Sequence, residues 1–198
     1  MSVIVPGPDR AHYIPTARNV VFKLVADRAT GRLLGAQGVG PGEIAKRIDI
    51  VATALASGTD VEGLAHLTLA YAPPYSMAMD IVVTAANVLR NKLDGLLRGI
   101  SPIELRQQML GEDAPLLLDV RQSVEYGQER LRGSRHIPLG NLRSRLHELP
   151  RDRTIVVVCS FGLRSYEASR VLTTHGYEDV WVLDGGLEAW PYPVERLI

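Results

Sequence analysis

The chain has 198 residues, 22 of them Lys or Arg and 22 Asp or Glu, and 46% of it is apolar. That composition suits a globular chain long enough for one domain or two small ones, and neutral, interspersed charge argues against a nucleic-acid partner. A single cysteine excludes an internal disulfide framework and any multi-cysteine metal site, which favours a reducing compartment, and no apolar run reaches the ~18 residues of a membrane span.

The N-terminal MSVIVPGPDR lacks a charged start followed by an apolar core, so the expected location is the cytoplasm. Residues 20–26 and 33–39 read as two strands, with Asp27 and Gly31 suited to the hairpin turn between them. Pro41 and Gly42 open a helix with Ile44, Ile48, Val51, Ala52 and Leu55 on one face, ending at Gly58. Residues 60–66 suit a short capped turn, Pro73 and Pro74 forbid regular structure, and a long helix is expected over 77–97. Two strands and two helices make a small α+β domain. Its long helix carries more apolar surface than a hairpin can cover, which calls for a partner.

Gly95 and Gly99 punctuate the next stretch. Ser101, Pro102 and Glu104 then supply an N-cap, a first-turn proline and an acidic first turn for a new helix. The expected domains are therefore 1–97 and 98–198. In the second, strand and helix patterns alternate (PLLLDV, VEYGQERL, SRHIPL, NLRSRLHEL, TIVVVC, a helix over 162–175, DVWVL, LEAW), which predicts an α/β fold with a parallel sheet and helices on both faces.

This half is organised around TIVVVCSFGLRS, residues 154–165. Ile155 to Val158 form a wholly apolar run, suited to a strand buried on both faces, and place Cys159 at the C-terminal edge where open α/β sheets bind ligands. Gly162 allows a tight turn, and Leu163, Tyr166, Val171 and Leu172 recur at helical spacing before Gly176. Loop N–H groups, the positive end of that helix and the Arg164 guanidinium would all favour negative charge at the sulfur. The plainer alternative is a small buried hydrophobe. Asp119 and Arg121 end the first strand at the same edge and Glu125 lies one turn on, either as ordinary capping groups or as supports for the loop.

Cys-x-x-Gly-x-Arg-Ser after a Val-rich strand, with LLLDVRQSVEY (116–126), GSRHIPL (133–139) and VLDGGLEAW (182–190) in order around it, resembles the rhodanese family of sulfurtransferases from about residue 98 to the end. The resemblance implies that Cys159 takes sulfane sulfur from polysulfide, a persulfide or thiosulfate, holds it as a persulfide and passes it to a thiol acceptor. It implies Arg164 as electrostatic support and Ser160, Phe161, Gly162, Leu163 and Ser165 as the rest of the active-site loop. Asp119 and Arg121 would be hydrogen-bonding and ion-pairing residues around it, with no metal and no cofactor. Where that family often has Gly-His-Ile before its second strand, this chain has Glu129, Arg130 and Leu131. Arg130 thus stands where that family has its usual histidine, which weakens any role for a histidine in the chemistry; it is a supporting residue and the extra cation only if thiosulfate is preferred, and His136 is read as structural. Large apolar Phe161 and Leu163 favour polysulfide or a small persulfide over dianionic thiosulfate. A phosphatase reading fits less well, because related folds cradle phosphate with five residues between Cys and Arg and this loop has four.

The first half resembles a second family at GRLLGAQGVG (31–40), KRIDI (46–50) and AYAPPYS (70–76). These look like the C-terminal dimerisation domain of the pyridine nucleotide-disulfide oxidoreductases, in the coenzyme A disulfide reductase and NADH oxidase branch, some of whose members carry a rhodanese domain behind it. The resemblance implies a homodimer through the first domain. Tyr13 and Tyr71 match tyrosines that reach toward a partner's active site, and are read here as buried or interface packing with satisfied hydroxyls. The FAD and NAD domains of that family are absent from this chain, which has no Gly-x-Gly-x-x-Gly turn after a strand, so no flavin chemistry is read into it and a separate flavoprotein is a candidate partner. The alternative function is a non-catalytic dimerisation or binding module, the remnant of a reductase-rhodanese fusion.

Overall fold

The computed structural model describes residues 1–196 and divides into two units, Met1–Leu96 and Leu97–Ile198. The first opens on β1 (Ser2–Pro8), which lies antiparallel on β2 (Asn19–Ala26); β2 in turn pairs antiparallel with β3 (Leu33–Val39). The expected hairpin is present: the Asp27 carboxylate accepts the Ala29 and Thr30 N–H groups, and Gly31 takes φ +70°. The two-strand expectation is corrected to three. Pro6 and Pro8 argue against a strand, but β1 is at the sheet edge, where a residue without an N–H need not break the ladder.

Helix α1 (Ala45–Ala56) is followed by α2 (Val61–Ala65), whose N-cap Asp60 accepts the Gly63 N–H, and by α3 (Ile81–Leu93). The long helix is shorter than its apolar pattern suggests. It starts only where the Asp80 carboxylate accepts the Val82 N–H, and ends where Gly95, at φ +71°, lets the Gly95 and Leu96 N–H groups return to the carbonyls of Lys92 and Asn91. On α1 the buried face is also rotated from the expected one. Arg47, Val51 and Ala54 point inward, while Ala52 and Leu55 are exposed. An arginine reads as solvated in any periodicity, and only its buried carboxylate partner, Asp80, reverses that.

Ile81, Val82, Ala85, Ala86 and Leu89 of α3 share one core with Val3, Val5, Phe22 and Leu24. The excess apolar surface expected on this helix is therefore covered inside the unit, by the strand that the prolines concealed.

The second unit runs β4 (Gly99–Ile100), α4 (Pro102–Gln108), β5 (Leu116–Asp119), α5 (Ser123–Gln128), β6 (Glu129–Arg130), β7 (Arg135–His136) and α6 (Leu139–Leu142), which a 3-10 turn at Arg143–Glu148 extends. It continues with β8 (Ile155–Val158), α7 (Leu163–Thr174), β9 (Val180–Leu183), a 3-10 turn at Gly186–Ala189 and β10 (Glu195–Arg196). The five-stranded sheet has the order β4-β9-β8-β5-β7, and every pairing in it is parallel. β6 and β10 form a separate antiparallel pair. Strands β4, β6 and β10 were beyond the pattern, since two residues carry no periodicity.

All four residues of β8 are buried, as its unbroken apolar run requires. Val157 packs on one side with Leu142, Ala168 and Leu172, and Val156 and Val158 pack on the other with Leu105 and Trp190, so helices cover both faces. Helix α4 starts at the expected cap: Ser101 and Glu104 form a reciprocal capping box with Pro102 in the first turn. Among the described residues no helix is long and apolar enough to cross a membrane.

Candidate functional site

Strand β8 delivers Cys159 to the C-terminal edge of the sheet, and α7 carries the chain away from it. The thiol is free and the residue is only 1% exposed. Between them the loop turns at Gly162, whose φ of +113° strains any residue with a Cβ. That turn aims the Gly162 N–H at the Cys159 sulfur, 3.1 Å away. Sulfur thus sits against a backbone donor at the N-terminus of a twelve-residue helix, both of which favour negative charge there.

A second turn holds the loop from behind. The Leu187 N–H donates to the Cys159 carbonyl at 2.9 Å and the Glu188 N–H to the Ser160 carbonyl at 3.0 Å. Gly185 and Gly186 take φ values of +73° and +58°, and a Cβ on Gly186 would lie 2.6 Å from the Ser160 oxygen and closer still to that of Cys159. Both carbonyls are thus engaged on the side away from the Gly162 N–H that meets the sulfur. The reading of the residues did not single out this support, although the Asp-Gly-Gly run in VLDGGLEAW was its signal.

Arg164, the expected electrostatic support, is paired with a carboxylate. Its guanidinium donates to Glu125 through both arms, at 2.6 and 2.7 Å, and to the Ser160 hydroxyl at 3.1 Å. Ser160 in turn donates to the same carboxylate at 2.9 Å. The hydrogen bonds from Arg164 outweigh partial burial and, with those from the Gln122 N–H and Ser160, hold the Glu125 carboxyl down at about 2. Glu125 thus meets the loop at Arg164 and Ser160, where sequence left it one alternative among ordinary polar groups.

Asp119 and Arg121 are both buried and pair chiefly with each other: Arg121 Nε and Nη2 reach the carboxylate at 2.7–3.1 Å, and Nη2 also donates to the Glu129 carbonyl at 2.6 Å. They brace the end of β5. Arg130 is likewise engaged, donating to Glu195 at 3.2 Å and lying 5.1 Å from the centre of the Tyr126 ring. His136 stacks on Tyr126 at 4.3 Å and contacts the Arg121 carbonyl at 2.9 Å, a structural setting.

Phe161 and Leu163 are exposed, at 41% and 69%, and form an apolar rim. Leu163 is therefore outside the buried stripe of α7, and Ser165 takes the inward position, its buried hydroxyl without a hydrogen-bond partner among the described residues. In the first unit Tyr13, Tyr71 and Tyr75 are all exposed, which corrects the expectation of burial for Tyr13 and Tyr71 within that unit.

Comparison with known proteins matches a different family model within each unit. Residues 101–191 match the family model described as rhodanese-like domain, and residues 2–82 match the dimerisation domain of pyridine nucleotide-disulphide oxidoreductases. A sulfurtransferase of Allochromatium vinosum is 35% identical over 86 residues, 43% of this chain and 80% of that protein. Two solved structures span both halves: a NAD-dependent persulfide reductase from A. fulgidus (48% identity, TM-score 0.84) and reduced Bacillus anthracis CoADR-RHD (37%, 0.88). Each match covers 96% of this chain and 34% of the larger one, so the chain spans about a third of their length.

Proposed function

Because this chain belongs to the rhodanese-like family and joins that fold to a pyridine nucleotide-disulphide oxidoreductase dimerisation domain, we propose that it works as a homodimer carrying sulfur as a persulfide on Cys159. It is a rhodanese-type sulfurtransferase. The observation that carries the mechanism is the Gly162 N–H on the Cys159 sulfur, a fixed donor placed where a sulfur anion would form.

In the first half-reaction the Cys159 thiolate attacks the outer sulfur of the donor. The new S–S bond forms as the donor's own S–S bond breaks, leaving Cys–S–S⁻ and releasing sulfite from thiosulfate or a polysulfide shorter by one atom. In the second, an acceptor thiolate attacks the outer sulfur and regenerates the Cys159 thiolate. The exchange needs no metal and no resident cofactor. A thiol that must cycle in this way suits the reducing cytoplasm.

Polysulfide or a small persulfide is the preferred donor. The loop's guanidinium is already paired with Glu125 and its rim is apolar, so a charge-dense dianion loses hydration there without a free cation in return. The apolar surface for self-association is on the first unit, where Tyr13, Val39, Tyr71, Tyr75 and Met79 are exposed.

Mass spectrometry after incubation with polysulfide or thiosulfate tests the site: the parent gains one sulfur atom at Cys159, and Cys159→Ser gains none and loses turnover. Turnover of the serine variant at the parent rate would remove Cys159 from the mechanism. A monomeric mass by light scattering at micromolar concentration would reject the dimer.

A further inference from the structure

We propose that Glu125 is the specificity-determining residue of this site: by pairing with Arg164 close to the reactive sulfur, it cancels the loop's cation and turns the site away from charge-dense donors such as thiosulfate. The inference rests on the sulfur-transfer reading and assigns that reading's donor preference to one carboxylate.

Three observations support it. The first is the position of the pair. Ser160 follows Cys159 directly and Arg164 is in the first turn of α7, and Glu125 contacts both, at 2.9 Å and at 2.6 and 2.7 Å. Arg164 is also close enough to Cys159 for a charge on that sulfur to stabilise the protonated guanidinium.

The second is exposure. The Arg164 and Glu125 side chains are 30% and 32% exposed, against 3% and 0% for Arg121 and Asp119 in the same unit. A half-exposed pair adds little to stability, yet donors arriving from solvent meet its net charge.

The third is that the loop is braced without it. The Cys159 and Ser160 carbonyls are held by the Leu187 and Glu188 N–H groups, and the Gly162 N–H is on the sulfur. What Glu125 adds is mainly charge. The neighbouring Arg121 and Arg130 already have carboxylate partners in Asp119 and Glu195, so neutralising Glu125 uncovers one positive charge next to the sulfur.

The test uses Glu125→Gln, which keeps the shape and an acceptor for Ser160, and Arg164→Gln. Because the chain has a single cysteine, alkylation reads Cys159 alone. In Glu125→Gln the ratio of alkylation rates for anionic iodoacetate over neutral iodoacetamide rises about tenfold at low salt, less at high salt. In Arg164→Gln, where the carboxylate is uncovered instead, the ratio falls below that of the parent. A ratio unmoved by either change overturns the proposal, whether or not sulfur transfer is seen.

Sulfur transfer gives the second readout. In Glu125→Gln, kcat/KM rises more for thiosulfate than for polysulfide, whose charge is spread along the sulfur chain, so the donor ratio shifts toward thiosulfate. A parallel loss for both donors, or a variant that does not fold, would make Glu125 a brace alone and overturn the inference. If the parent takes up sulfur from neither donor, the sulfur-transfer reading fails and the donor role of Glu125 fails with it, while the alkylation ratios still report the field at Cys159.

Discussion

In the first unit Arg47 meets Asp80 with side-chain exposures of 1% and 4%; in the second Arg164 meets Glu125 at 30% and 32%. The chemical groups are the same and the surroundings are opposite. Around Arg47 every arm is engaged: Nε and Nη2 bond Asp80, Nη1 donates to the Glu43 carbonyl at 2.6 Å, and Nη2 also donates to the Asp9 carbonyl. One guanidinium thus ties the end of β1, the approach to α1 and the cap of α3. Arg164 ties a loop to α5 and remains within reach of solvent. A buried pair fixes which segments meet, whereas a partly exposed pair beside a reactive thiol would set the charge an incoming donor meets.

The strongest way to break this contrast is to remove each arginine in turn. Arg47→Met strands the Asp80 carboxylate in the core and is expected to cost the first unit about 3–5 kcal/mol. Arg164→Met should cost the second about 1 kcal/mol or less, since the Glu125 it uncovers is partly solvated. Amide exchange in α3 for the first and in α7 for the second measures the two, and equal losses would erase the distinction.

Gly186→Ala is of intermediate size. Its positive φ and the approach of Cβ to the Ser160 oxygen should cost about 1–3 kcal/mol, and they push the loop carbonyls off the Leu187 and Glu188 N–H groups. Sulfur transfer then falls with Cys159 still in place, by about tenfold or more if the loop is preorganised as proposed. Full activity in this variant would mean that the turn does not position the loop.

The smallest effect is on acid titration. The Glu125 carboxyl lies at about 2 in the folded chain against an ordinary 4.5, so the stability it contributes is fully present above 4.5 and is lost as pH falls toward 2. An NMR titration of Glu125 should find its midpoint near that lower value, and in Arg164→Gln it should move back toward the ordinary one. Asp9 shares the behaviour in the first unit: burial raises its carboxyl, but hydrogen bonds from Arg10 and from the Arg18 and Glu43 N–H groups prevail and hold it at about 2.

The second unit was legible to a high degree from residue types alone. An unbroken Ile-Val-Val-Val run, a glycine three residues past the cysteine and a Ser-Pro-x-Glu cap are local signals, because strand burial, a positive φ and helix capping are decided within a few residues. They placed Cys159 at the strand end and started α4 and α7 correctly. The first unit was less legible. The prolines in β1 argue against a strand unless its place at the sheet edge is known, and the start of α3 depended on which residue caps it.

Charge was the least legible property of all. Arg47 in the core, Arg164 turned to Glu125 and Arg130 turned to Glu195 are each polar residues whose sequence neighbourhood gives no sign of their partner, 33, 39 and 65 positions away. Local sequence determines backbone conformation and apolar periodicity through short-range sterics and burial. Whether an arginine meets a carboxylate or a ligand is decided by which distant segments the packed core brings together, and only the tertiary structure contains that.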